Sequence, residues 1–246
     1  MVGMGTSKRI SYGPAPSQFA DLRLPEATGP HPLVVLFHGG FWRAAYGLEP
    51  LDALATALTR ECGVATWNVE YRRVGEPGGG WPGTFDDAVS AMGAVPVDDS
   101  RVVLLGFSAG GQLALWLARR VAALGVVALA PVSDLERAAQ LGMNRGIVPE
   151  LLGGTAVDVP ERYAAASPAR LLPLGVRQVL VHGTEDDQVP LALSESYVER
   201  ARAAGDLAEL RTLEGANHFD LMDVGSRCWP IIRDAVVGLL GPTLAL

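Results

Sequence analysis

The sequence predicts an α/β fold with a mostly parallel central sheet and helices on both faces. Two observations predict it. Short runs rich in Val, Leu and Phe are apolar throughout rather than alternating, as in strands covered on both faces. Between them stand longer stretches with apolar residues at helical spacing, and this β-α-β-α order favours parallel strands joined by crossover helices.

Leu33–Phe37 is the first clear strand, opened after Pro32 and closed by Gly39-Gly40. Val64–Val69, Val102–Leu105, Val126–Ala130 and Val179–Val181 repeat the pattern, and Leu207–Leu213 alternates. The helices are expected at Leu48–Arg60, Thr84–Met92, Ala109–Leu124, Leu191–Ala204 and Ser226–Leu240. Thr84 is the expected cap of the second, with Asp86 and Asp87 in its first turn, where the helix dipole favours acids. Ala109–Leu124 is apolar almost all round, which places it centrally. Glu76–Gly83 is a glycine-rich loop, and Ser133–Pro173 is a long insertion with short helical pieces. Such loops commonly shape substrate pockets. Residues 1–246 are read as one domain, without repeat or linker.

Composition narrows the function. The chain has 246 residues, 49% of them hydrophobic and 19% charged, with a net charge of −7. This is globular, and no basic stripe exists to neutralise phosphates, so nucleic acid is not an expected partner. No apolar run reaches the roughly 18–20 residues of a membrane span, and no secretory pattern opens the chain. A soluble cytoplasmic protein without membrane partners is the expectation. The sequence is compatible with a homodimer and does not set the oligomeric state. Cys62 and Cys228 are too few for a disulfide framework. Two reduced thiols are expected, with a single bridge between helices as the alternative.

The chemistry centres on Gly106-Phe107-Ser108-Ala109-Gly110, which fits G-x-S-x-G between an apolar strand and a buried helix. A tight strand-to-helix turn exposes the serine hydroxyl and aims the next amide, that of Ala109, at the same point. Ser108 is therefore the candidate nucleophile. It needs a base. Of four histidines, His31 precedes the first strand, His38 starts the Gly39-Gly40 turn, and His182 ends a strand where side chains pack. His218 follows the last strand and suits the order Ser…Asp…His. The orienting acid should follow Val181, where Glu185, Asp186 and Asp187 all compete. Spacing alone does not choose among them.

His38-Gly39-Gly40-Phe41-Trp42 closes the first strong strand. Its glycines let the backbone turn toward the nucleophile, so the amides of Gly40 and Phe41 are the expected second half of an oxyanion hole. Trp42, Trp81 and Phe219 are candidate aromatic surfaces for substrate.

Together these motifs resemble the α/β-hydrolase superfamily, from about Leu33 onward. The His38–Trp42 run resembles the H-G-G-x-W box of kynurenine formamidase (arylformamidase) and related carboxylesterases. Gly183–Pro190 is similar to the G-T-x-D-x-x-V-P acid loop of these enzymes and of prolyl-oligopeptidase-type peptidases. That resemblance implies Asp186 as the acid. Tyr71-Arg72, Pro82 and Asp87 resemble a Y-R…P…D segment of hormone-sensitive-lipase-like esterases and are read as structural. The H-G-G-G box of that group is not matched, and without the peptidases' propeller a peptidase reading drops.

The leading expectation is a serine hydrolase acting on small or medium carboxylic esters through an acyl-enzyme, with no metal and no organic cofactor. Arylformamidase, acting on the formyl amide of N-formylkynurenine, is the alternative. A non-catalytic binding protein is a third, disfavoured because every member of the triad has a candidate.

Overall fold

A computed structural model describes residues 7–97 and 101–241. Eight strands form one sheet: β1 (Lys8–Ser11), β2 (Phe19–Arg23), β3 (Leu33–Phe37), β4 (Ala65–Val69), β5 (Val102–Phe107), β6 (Gly125–Leu129), β7 (Arg177–Gly183) and β8 (Ala208–Leu213). Their order is β1-β2-β4-β3-β5-β6-β7-β8. From β4 to β8 every pairing is parallel, whereas β1 pairs with β2 and β2 with β4 in antiparallel fashion. The parallel strands β3 to β7 fall on the apolar runs expected above, and β8 on the alternating one. All five residues of β3, β4 and β6 are buried.

The two N-terminal strands were not expected. β1 is largely exposed, and β2 carries Asp21 and Arg23 among its apolar residues. An edge hairpin needs no continuous apolar run. Here Arg9 clamps Asp21 across the pair with two contacts of 2.9 Å.

The helices are α1 (Asp52–Cys62), α2 (Gly83–Gly93), α3 (Ala109–Ala118), α4 (Leu135–Gln140), α5 (Met143–Leu152), α6 (Pro160–Ala166), α7 (Leu191–Ala203) and α8 (Trp229–Leu240). All ten residues of α3 are buried, which accounts for its apolar circumference. It stops at Ala118, short of the expected Leu124. Arg119 and Arg120 turn out of the helix, and Arg119 donates to the carbonyls of Leu171 and Pro173. Thr84 does not cap α2. The helix begins one residue earlier, and the Thr84 hydroxyl instead accepts from Gly80 N and donates to Arg72 O. Of the two expected first-turn acids, Asp86 stands in that turn and Asp87 lies beyond it. Asp87 is fully buried and takes Arg72 Nη2 at 2.6 Å and Gln18 Nε2 at 2.6 Å.

The insertion between β6 and β7 holds α4, α5 and α6. Both cysteines are buried free thiols, and burial pushes the Cys62 thiol up to about 11. Among the described residues no helix is long and apolar enough to cross a membrane.

Candidate active site

Open parallel sheets bind ligands beyond the carboxyl ends of their strands, at the point where the chain reverses its direction of winding. That point lies between β3 and β5. From β3 the chain moves outward to β4, and from β5 it moves the other way to β6, β7 and β8. Ser108 directly follows β5, and the Gly39-Gly40 turn follows β3.

The turn at Ser108 is sharp. Its backbone sits at φ 55°, ψ −117°, a sparsely populated conformation that persists only where the surroundings enforce it. Ser108 N donates to Leu129 O at 2.7 Å, and Ser108 O accepts from Gln112 N at 3.2 Å. The flanking glycines are required by close approach. A Cβ on Gly106 would lie 2.1 Å from Gly110 O, and one on Gly110 would lie 2.0 Å from Phe37 O.

His218 sits in the loop after β8, shaped by Asn217, whose side chain accepts from Phe219 N at 2.9 Å. Its ring packs against Phe107, centroid to centroid 4.6 Å. Nδ1 of His218 stands 2.6 Å from Asp186 Oδ2. The other oxygen, Oδ1, accepts from the amides of Gln188 (2.9 Å) and Val189 (2.8 Å). Burial alone would raise the Asp186 carboxyl. Hydrogen bonds from His182 and His218 outweigh it and hold the group well below the usual carboxylate range. Glu185 and Asp187 are exposed. Asp187 accepts from the side chain of its neighbour Gln188 at 3.0 Å.

His182 has more than a packing place. It is fully buried, with Nε2 at 2.9 Å from Val189 O and 3.2 Å from Asp186 Oδ2. Its Nδ1 meets Ser194 Oγ at 2.8 Å. Sequence reasoning missed this contact to the acid. The available signal was its place four residues before Asp186 on the same strand-to-loop turn.

The turn after β3 carries three successive residues of positive φ: Gly40 (99°), Phe41 (51°) and Trp42 (53°). No acceptor among the described residues takes the amides of Gly40, Phe41 or Ala109. His38 anchors this turn. Its Nδ1 lies 2.7 Å from Gly39 O and its Nε2 2.8 Å from Glu70 Oε1. The Gly39 carbonyl and the Gly40 amide belong to one peptide unit, so fixing the first orients the second.

Ser108 and His218 line one cleft of about 180 Å³, together with Gly40, Phe41, Phe107 and Phe219. Of the three aromatic candidates, Phe219 lines this cleft. Trp42 and Trp81 do not line this cleft. Trp42 is buried in the core and donates to Gln112 Oε1 at 3.1 Å. Trp81 packs edge-on against Phe85 at 5.0 Å. No cluster of three His, Cys, Asp or Glu side chains able to hold a metal occurs among the described residues.

Residues 34–221 match the alpha/beta hydrolase fold family. The chain is 36% identical over 116 residues to the versiconal hemiacetal acetate esterase of Aspergillus parasiticus, covering 44% of this chain and 36% of that protein. It is 25% identical to a probable isoprenylcysteine alpha-carbonyl methylesterase (ICME) of Oryza sativa subsp. japonica, over 87% of this chain and 58% of that one. The chain therefore spans less than two thirds of either relative. A solved truncated carbohydrate esterase from gut microbiota has the same fold, with TM-score 0.82 and 17% identity over 96% of this chain and 97% of that one. With most of its length matched, the chain belongs to the alpha/beta hydrolase fold family.

Proposed function

We propose that the protein is a serine hydrolase that cleaves small to medium carboxylic esters through an acyl-enzyme. The observation that carries this reading is Ser108 on its strained turn, sharing a cleft with His218, whose other nitrogen lies 2.6 Å from buried Asp186. The esterase names of the two relatives favour esters over other acyl compounds.

In this reading Ser108 Oγ attacks the ester carbonyl while His218 Nε2 takes its proton. Asp186 accepts from Nδ1, fixes the tautomer and stabilises the imidazolium. The amides of Ala109, Gly40 and Phe41 receive the oxyanion. His218 then protonates the leaving alcohol, and water, activated by the same ring, releases the acid. The protein's part in these steps falls to side chains and main-chain amides. The continuous sheet and the insertion's contribution to the cleft support a single catalytic domain.

A second reading is arylformamidase. The H-G-G-x-W run and a small cleft walled by Phe41, Phe107 and Phe219 favour it. Rates on N-formylkynurenine and on aryl esters from formyl to butyryl decide between the two. Ester turnover that rises from formyl to butyryl, with no hydrolysis of N-formylkynurenine, supports the esterase. The reverse order overturns it.

A further inference from the structure

After its first residue, Met143, α5 carries three residues in left-handed backbone: Asn144 (φ 43°), Arg145 (φ 57°) and Gly146 (φ 81°). Glycine adopts this conformation freely and asparagine tolerates it, but arginine does not favour it. Such strain persists where neighbours hold it in place, and it gathers at ligand contacts. Here the neighbour is Arg43, three residues after Gly40. Arg43 Nε donates to Asn144 Oδ1 at 3.0 Å, while its two terminal nitrogens grip Glu150 at 3.0 and 3.1 Å. Arg43 N also donates to Gly40 O at 3.0 Å. One arginine therefore ties the insertion to the turn that carries Gly40.

This wiring settles which end of the Asn144 amide is free. Arginine only donates, so the atom facing it must be the oxygen. Nδ2 remains, with no partner among the described residues, on a side chain that lines the cleft beside Ser108. A donor whose own oxygen accepts from a guanidinium is polarised and donates more strongly. Gln188 lines the same cleft but already directs its amide nitrogen to Asp187. Phe41, Phe107, Phe219 and Met222 supply apolar wall around them.

We propose that Asn144, held by Arg43, is a specificity-determining residue that selects esters bearing a further hydrogen-bond-accepting oxygen beside the scissile group. The inference rests on the ester-hydrolase reading. The oxygen belongs to the alcohol part, as in a polyol ester, or to the acyl part, as in an alkoxy acid, and matched substrates separate the two.

The test compares kcat/KM for 1-monoacetin against n-propyl acetate, and for propyl methoxyacetate against propyl butyrate. Wild type, Asn144→Gly and Asn144→Asp are assayed, both variants being compatible with left-handed backbone. In both variants the oxygen-bearing to oxygen-free ratio falls about three- to tenfold in one pair, the size of one neutral hydrogen bond. In each variant that fall exceeds any change on the matched oxygen-free ester, which serves as the reference for that enzyme. The pair that responds identifies the side on which the oxygen lies. Unchanged ratios in both pairs, or an equal fall on all four esters, overturns the proposal. A wild type that hydrolyses none of the four overturns the ester reading itself, and this inference with it.

Discussion

Asp186 Oδ2 lies 2.6 Å from His218 Nδ1, and the carboxylate that makes this contact has a fully buried side chain. Two main-chain amides hold its other oxygen, so the acid cannot swing away without losing three hydrogen bonds. Asp186→Asn can present its amide nitrogen to His218 and so favour the wrong tautomer. The expected loss in kcat is about 10⁴-fold, the size seen when a triad acid becomes an amide. Steady-state kinetics on a responsive ester measures it, and a loss below about tenfold would place the acid elsewhere.

The same carboxylate links stability to pH. Its folded pKa is depressed below the unfolded value, so its stabilisation is fully present above the unfolded pKa of about 3.9 and is lost as pH falls through the folded pKa. Urea unfolding of wild type and Asp186→Asn should therefore show the larger stability gap at pH 6 to 7 and a shrinking gap below about pH 4. A gap that widened toward low pH would contradict the sign.

Ser108→Ala removes the oxygen proposed to attack the ester and is expected to leave the fold intact, because the strained turn is held by main-chain contacts to Leu129 and Gln112. Turnover of esters is expected to fall by on the order of 10⁶, with an unchanged melting temperature. Burst experiments on an aryl ester add a second readout, since the acyl-enzyme burst should vanish in the variant.

Arg72 and Asp87 separate stability from chemistry. Asp87 is fully buried, and Arg72 meets it through Nε and Nη2. Arg72→Ala leaves that charge without its cation, which costs about 3–5 kcal/mol. For a chain of this size the melting temperature should drop by roughly 6–20 °C. Lysine should rescue little, since it cannot reproduce the planar fork. At a temperature where the variant is folded, kcat should stay near wild type, because neither residue lines the cleft.

The candidate nucleophile and base could be named from the sequence because the chemistry they would serve is local. A tight turn needs glycines beside Ser108, and a late loop needs a histidine. The candidate acid could be named only through resemblance. Burial separates Asp186 from Glu185 and Asp187, and burial arises from how the loop after β7 folds against the His218 loop. Trp42 next to the Gly39-Gly40 turn suggested pocket surface, yet its side chain turns into the core to meet Gln112. Asn144 carried no signal at all, because its place depends on an insertion tied to Arg43 from a hundred residues away in sequence. The β1–β2 edge was invisible for a different reason: ladder hydrogen bonds and the Arg9–Asp21 clamp build it, not an apolar run.

His182 tests whether the acid itself must be held in place. Its Nε2 hydrogen lies between Val189 O and Asp186 Oδ2, and its Nδ1 is fixed by Ser194. Removing it takes away one of the hydrogen bonds that keep Asp186 ionised and oriented. His182→Ala should lower kcat about fivefold, corresponding to about 1 kcal/mol for one bond, with little change in KM. Glutamine can place a donor where Nε2 stood, so His182→Gln should recover most of that loss. If His182 only fills space, both variants will lose stability alike and kcat per folded enzyme will not move. A rescue by glutamine that appears in kcat, and not in melting temperature, marks His182 as a positioning residue for Asp186.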